Sequence, residues 1–198
     1  MIKQFSNDEY AGFVETFTER EWEKYIDLLR PGNQSTEGFV SNESIPDIMI
    51  RVRQDAVFIE SHGGFERLSN TLSNLLESVD RNIYFENHDP SNHSEKMICT
   101  SNTPTLPRIT LRIENMFMGR QECPFKHTNP NNKSVRKCKK CSTDGSNGRY
   151  NLDCDLILSN GLKSLKISGA SIMMIMNHHF FELSSHRVDP EKLLEILA

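Results

Sequence analysis

Three cysteines and one histidine between residues 123 and 141 have the types and spacing of zinc ligands. Three residues separate Cys123 from His127, two separate Cys138 from Cys141, and ten lie between the two pairs. Zn²⁺ prefers thiolate and imidazole ligands, and four of them usually complete a structural site. The sequence therefore predicts one structural Zn²⁺ per chain, bound by Cys123, His127, Cys138 and Cys141.

The ligand count favours a closed structural site over a catalytic one. A catalytic zinc normally has three protein ligands and keeps one position open for water. The ten residues between His127 and Cys138 are nearly all polar and contain turn-forming Asn-Pro and Asn-Asn pairs, so they have no apolar core of their own. A metal at the base would hold such a loop in place. The alternatives are a disulfide or a chance grouping of three of the five cysteines.

The same segment, here called the basic loop (residues 123–141), concentrates positive charge. It holds six basic residues and no acidic one, whereas the whole chain has a net charge of −4, which leaves −10 for the rest. This separation of charge would steer the loop towards an acidic protein, a nucleic acid or an anionic membrane surface. A simpler interpretation is that the cations add solubility and offset the thiolate charge. The basic residues are Lys126, Lys133, Arg136, Lys137, Lys139 and Lys140.

A second set of residues would suit an enzyme. Asp153 and Asp155 lie two apart on a predicted strand, so their carboxylates point the same way and suit acid/base or metal chemistry. His178, His179 and His186 lie near the predicted end of the third helix, although neighbouring helical histidines point about 100° apart. A solvated strand face, side-chain packing and a cation at a helix C-terminus are the structural alternatives. The sequence contains no nucleophile elbow, phosphate loop, dinucleotide fingerprint or zinc-protease helix motif.

Composition limits the class of protein. With 198 residues, of which 36% are hydrophobic, the chain can bury a sizeable core but must also contain long loops. Cysteines at metal-ligand spacing, with no leader peptide and no transmembrane segment in the sequence, favour a reducing, cytoplasmic compartment. We expect a single α+β domain over residues 1–198. The alternative is a subdivision into a mainly helical half at 1–86 and a second half at 108–198.

Apolar residues at helical spacing predict three to four helices. The strongest prediction is 19–29, where Thr18 and Glu21 form a capping box and Phe17 and Trp22 a hydrophobic staple. Further helices are predicted over 65–79, 170–183 and 190–197, the last opened by Asp189 and Pro190. Residues 31–47 are predicted as loop, 47–53 are ambiguous, and 56–60 are predicted as a short strand.

Alternation of apolar and polar residues predicts an antiparallel β-meander in the second half of the chain. Residues 108–113 and 150–158 alternate strictly, and the turn at 159–161 leads to a hairpin partner at 162–167. The basic loop lies between the first two of these strands. Residues 87–107, rich in Asn, Ser, Pro and His, are predicted as a long loop.

These patterns together predict a zinc finger-like interaction module. Its basic loop would present Lys and Arg to an acidic partner, either a protein or a nucleic acid. The alternative is a metal-dependent or acid/base hydrolytic enzyme that uses Asp153, Asp155 and the C-terminal histidines. A third hypothesis keeps the zinc as a scaffold and places the function elsewhere, for example in the loop at 87–107. The sequence identifies neither the partner nor the oligomeric state.

Overall fold

Helices and an antiparallel sheet make up the computed structural model, which describes residues 13–32, 38–81, 97–100, 109–116, 123–125, 154–185 and 187–198. The helices are α1 (Glu19–Leu29), α2 (Ile45–Ser61), α3 (Gly64–Arg81), α4 (Gly169–His178) and α5 (Pro190–Leu197). The strands are β1 (Met97–Thr100), β2 (Thr110–Met116), β3 (Cys154–Ser159) and β4 (Ser164–Ser168). The predicted α+β class is confirmed. No helix within these ranges has both the length and the hydrophobicity needed to cross a membrane.

The four strands follow one another across the sheet in chain order, and each pairs antiparallel with the next. Leu156 and Leu158 on β3 and Ile167 on β4 turn their side chains into the core. The predicted hairpin of β3 and β4 is confirmed. Its turn is fixed by Asn160, whose side-chain oxygen accepts hydrogen bonds from the backbone N–H groups of Leu162 and Lys163.

Strand β1 lies inside the segment that the sequence predicted as a long loop. Its four residues pair with β2 from Met97 opposite Ile113 to Thr100 opposite Thr110. A run this short offers little alternation to recognise, and the Asn, Ser and Pro residues around it dominate the composition. The loop prediction was therefore wrong for residues 97–100.

The prediction for α1 is confirmed at both ends. The backbone N–H of Glu21 donates to the Thr18 hydroxyl at 3.3 Å, and Glu21 Oε2 accepts from the Thr18 N–H at 2.7 Å, which completes the capping box. The rings of Phe17 and Trp22 meet edge to face with centroids 5.5 Å apart, as the hydrophobic staple requires.

Helix α2 replaces the predicted loop and short strand, and that prediction was wrong. Ser44 caps the helix by accepting a hydrogen bond from the Asp47 backbone N–H, and Pro46 lies in the first turn. Residues spaced three or four apart turn inward along one face, namely Ile48, Val52, Ala56 and Ile59. The misleading signal came from β-branched residues on the opposite face, because Ile50 and Val57 are exposed and such residues favour strands.

Helix α4 ends five residues earlier than predicted. His179 adopts the left-handed conformation, with φ 57°, and this ends the helix after His178. The chain then runs alongside residues 39–40, where the Leu183 N–H donates to the Phe39 carbonyl oxygen at 2.8 Å. Apolar residues after position 179 therefore continue the core without continuing the helix.

The buried apolar side chains of the described residues form two hydrophobic clusters. The first, here called the sheet cluster, packs α3 and α5 against the inner face of the strands, and the second, here called the aromatic cluster, gathers around α1. The sheet cluster comprises Ala56, Ile59, Phe65, Leu68, Leu72, Leu75, Leu76, Ile109, Leu156, Leu158, Ile167, Ile172, Ile175, Phe181, Val188, Leu193, Ile196 and Leu197. The aromatic cluster comprises Val14, Phe17, Trp22, Tyr25, Ile26, Leu29, Phe39, Val40, Ile48, Val52, Phe125, Met174, Phe180 and Leu183.

Candidate metal centre

Cys123, the first predicted zinc ligand, lies beside a buried histidine. Its Sγ is 3.2 Å from Nε2 of His178, the last residue of α4. Cys123 is half-buried, and His178 is 0% exposed. The other predicted ligands, His127, Cys138 and Cys141, lie outside the described residues, as do the six basic residues of the loop. The structure thus pairs Cys123 with a histidine that the sequence offered only for the enzyme alternative.

Phe125 holds the start of the basic loop against the aromatic cluster. Its side chain is 0% exposed, and its ring makes edge-to-face contacts with the rings of Phe17, Tyr25 and Phe180 at centroid distances of 6.1, 5.7 and 5.5 Å. The His178 ring lies 4.6 Å from that of Phe125. Burial of an aromatic side chain of this size is strongly favourable, so Cys123 is held two residues away from a firmly packed position.

Helix α4 places His178 at the edge of the same cluster. Ser168 begins this helix by accepting a hydrogen bond from the Ser171 backbone N–H at 3.0 Å. Met174, which belongs to the aromatic cluster, precedes His178 by four residues, and residues at this spacing share one helix face. Ile172 and Ile175 belong to the sheet cluster. Packing on both sides therefore determines where the His178 imidazole lies.

His179 faces a different environment from His178, because its left-handed backbone ends the helix. Its ring is stacked between the rings of Phe13 and Phe65, with centroid distances of 3.6 and 3.9 Å and nearly parallel planes. Its Nδ1 lies 2.7 Å from Glu15 Oε1. This histidine joins the 3₁₀ turn at Val14–Thr16 to α3 and is not part of the Cys123–His178 contact.

Asp155, a further enzyme candidate within the described residues, lies next to the start of α4, whereas His178 and His179 lie at its end. Asp155 forms an ion pair with Lys166 at 2.8 Å and pairs in the sheet with Ser168, the N-cap of α4. His179 caps the other end of α4, about 16 Å away at about 1.5 Å of helix rise per residue. Asp153 and His186 lie outside the described residues. A shared acid/base site of Asp155 and the C-terminal histidines gains no support from this arrangement.

The Cys123–His178 pair suits two positions of a tetrahedral zinc site. Zn–S bonds of about 2.3 Å and Zn–N bonds of about 2.0–2.1 Å at a tetrahedral angle place the two ligand atoms about 3.5 Å apart. The observed 3.2 Å differs from this spacing by a few tenths of an ångström. Within the described ranges, no group of three or more His, Cys, Asp or Glu side chains is placed to hold a metal ion. A four-ligand site at this position therefore requires ligands from other residues.

Asp55 on α2 forms a partly buried ion pair with Arg187. Arg187 donates to both carboxylate oxygens of Asp55, at 2.6 and 3.0 Å. Burial raises the pKa of Asp55 above its usual 3.8, and the hydrogen bond and charge of Arg187 oppose this shift. The pair joins α2 to the segment before α5, which is a structural role.

An open surface depression next to the α2–α3 turn contains none of the predicted site residues. It is lined by Gly63, Glu66, Arg67, Asn70, Thr71 and Asn74. These side chains are small or flexible, and the depression lies along one exposed side of α3. It therefore offers no enclosed environment for catalysis.

Comparison of the chain with protein-family models, with curated proteins and with solved structures finds no match in any of the three. Function is therefore inferred from the residues and from their geometry. The feature that sequence analysis missed is the role of His178 as a neighbour of Cys123. The two residues are 55 positions apart, and only the packing of Phe125 and α4 brings them together.

Proposed function

We propose that this protein is an interaction module in which a structural Zn²⁺ holds the basic loop in a shape suited to an acidic partner. The observation that carries the proposal is the contact between Cys123 and buried His178. It puts a thiol and an imidazole, the two ligand types that zinc prefers, at the point where the basic loop begins.

Packing supports a loop with a fixed base. Phe125 is fully buried among aromatic rings, so the chain enters the loop from a defined position. The residues that follow are mostly polar or basic and bring little apolar surface to stabilise them. A metal site at the base would supply the order that hydrophobic burial cannot supply here.

The charge distribution supports an acidic partner. The basic loop carries +6 and the rest of the chain −10, so an acidic surface would be attracted to the loop and repelled by the rest. Attraction of this kind accelerates association and weakens as salt concentration rises. We expect binding to involve chiefly Lys126, Lys133, Arg136, Lys137, Lys139 and Lys140.

Charge reversal within the loop tests the proposal. The triple variant Lys137→Glu, Lys139→Glu, Lys140→Glu would be compared with a control, Arg20→Glu, Lys24→Glu, Lys192→Glu, whose three exposed residues lie on α1 and α5. Both variants change the net charge equally. The probes are a fluorescein-labelled DNA duplex and a labelled poly-glutamate peptide, with binding followed by fluorescence anisotropy at low salt.

The loop variant should bind the preferred probe at least about tenfold more weakly than the wild type, because several charge contacts are lost together. The control should bind like the wild type. Preference for the duplex would identify a nucleic acid as the partner, and preference for the peptide an acidic protein. Equally weakened probe binding in both triple variants would show that the effect comes from net charge alone, and it would contradict a role for the loop.

A further inference from the structure

We propose that His178, and not His127, is the fourth zinc ligand, so that the site is Cys123, Cys138, Cys141 and His178. This inference rests on the zinc of the proposed function and specifies which residues bind it. The metal would then join the basic loop to the end of α4 as well as closing the loop upon itself.

The position of the nitrogen is the first argument. His178 Nε2 lies 3.2 Å from Cys123 Sγ, which is close to the spacing of about 3.5 Å between a sulfur and a nitrogen bound to one tetrahedral zinc. Nε2 is a ring nitrogen through which neutral histidine commonly binds metals. A small opening of the contact would admit the ion between the two atoms.

Rigidity is the second argument. His178 lies at the end of a capped helix, with Met174 packed in the aromatic cluster on the same face and Ile175 packed in the sheet cluster. A ligand whose orientation is fixed by packing loses little entropy on binding a metal. His127 lies in a polar stretch of sequence between Lys126 and Thr128, whose residue types offer no comparable apolar packing.

Ligand number is the third argument. A structural zinc takes four ligands, and the three cysteines of the loop leave one position. With His178 already in contact with Cys123, that position is filled by a residue from the core. Of the Cys, His, Cys and Cys residues within 123–141, only the three cysteines are then ligands. The histidine ligand is His178, which lies 55 residues beyond Cys123.

Cadmium NMR on the full chain distinguishes the two histidines directly. ¹¹³Cd²⁺ would replace Zn²⁺, and scalar couplings from the metal to ligand protons would be recorded, with ring protons assigned by comparison with His127→Gln. We expect couplings to the cysteine β-protons and to the ring protons of His178, and none to His127. Coupling to His127 without coupling to His178 would overturn the inference and leave the zinc of the proposed function intact.

A matched pair of variants supplies the second measurement. His178→Gln should weaken zinc binding, measured by competition with a chromophoric chelator, by more than the roughly 10- to 100-fold expected for loss of a hydrogen-bonding neighbour of a ligand. His127→Gln should retain wild-type affinity. Should His127→Gln lose zinc while His178→Gln keeps it, the contact with Cys123 is a hydrogen bond and not shared ligation. A wild-type protein that binds no zinc would instead overturn the proposed function itself.

Discussion

The two hydrophobic clusters differ in how many of their residues come from helices and strands and how many from segments without regular structure. The sheet cluster is formed mainly by regular elements, since it takes most of its residues from helices and from the inner face of the strands, and only Ile109, Phe181 and Val188 lie outside them. The aromatic cluster contains no strand residue. It depends on segments without regular structure, among them Phe39, Val40, Phe125 and Phe180.

Helix α4 belongs to both clusters and presents a different face to each. Ile172 and Ile175 pack in the sheet cluster, whereas Met174 packs in the aromatic cluster, next to the position of His178. Perturbation of the basic loop should therefore reach the aromatic cluster first, through Phe125 and His178. Of the described residues of the basic loop, 123–125, none belongs to the sheet cluster, so this cluster should respond less.

Replacement of a buried phenylalanine in each cluster tests this difference. Phe125→Ala and Phe181→Ala each remove a side chain that is at most 1% exposed, and each should lower the free energy of unfolding by about 3–5 kcal/mol. Only Phe125→Ala should also weaken zinc binding, because it frees the chain next to Cys123. Urea unfolding and zinc content of the folded variants measure the two effects. Equal zinc loss in both variants would show that the two regions are not separate.

Removal of the proposed zinc should act on the aromatic cluster. Zinc at about 1,000 times its dissociation constant stabilises the folded state by about 4 kcal/mol, and a chelator should remove this contribution. Trp22 is the one tryptophan of the chain and is fully buried in the aromatic cluster, so its emission reports this region. We expect a red shift on chelation while the far-ultraviolet circular dichroism of the sheet and helices changes little. An unchanged emission spectrum and melting temperature would argue against a structural metal.

Local sequence patterns were sufficient to predict several structural elements. The capping box of α1, the Asp189–Pro190 start of α5 and the β3–β4 turn each involve residues within a few positions of one another. Such interactions depend little on the rest of the fold, and these predictions were confirmed. Helix α2 was missed because exposed Ile50 and Val57 give it a strand-like composition, and only the buried face reveals its period.

The candidate metal centre was only partly predictable, for the same reason. Cys123 is predicted as a ligand from the spacing of cysteines and histidine along the chain, which is a local pattern, and this stays a prediction. The proximity of His178 is a tertiary contact produced by the burial of Phe125 and by the end of α4 at His179. The helix had been predicted to continue to residue 183, and no local motif indicates the left-handed residue that ends it.

Smaller effects should follow from substitutions at the N-terminal cap of α1, on the side of the aromatic cluster, and in the β3–β4 turn, on the side of the sheet cluster. Thr18→Ala removes the cap of α1 and should cost about 1 kcal/mol. Gly161→Ala places a side chain at φ 85° in the β3–β4 turn, where no atom lies within 4 Å of the new Cβ, so its cost of about 1 kcal/mol comes from the backbone alone. Hydrogen exchange should show faster opening of α1 in the first variant and of the hairpin in the second. The reverse pattern would contradict the division into two clusters.

The smallest expected effect is a pH dependence confined to the side of the sheet cluster. Burial raises the pKa of Asp55 above 3.8 despite its bond to Arg187, so the folded protein holds the proton more tightly than the unfolded chain. The contribution of Asp55 therefore favours folding below pH 3.8 and is lost as the pH rises through its folded-state pKa. Asp55→Asn cannot titrate, so its free energy of unfolding relative to wild type should increase across this window. Urea unfolding at a series of pH values measures the difference, and a difference that is constant or falls with pH would contradict the raised pKa. Trp22 emission in folded Asp55→Asn should match that of the wild type, since Ala56 and Val188, the neighbours of Asp55 and Arg187 in the chain, belong to the sheet cluster.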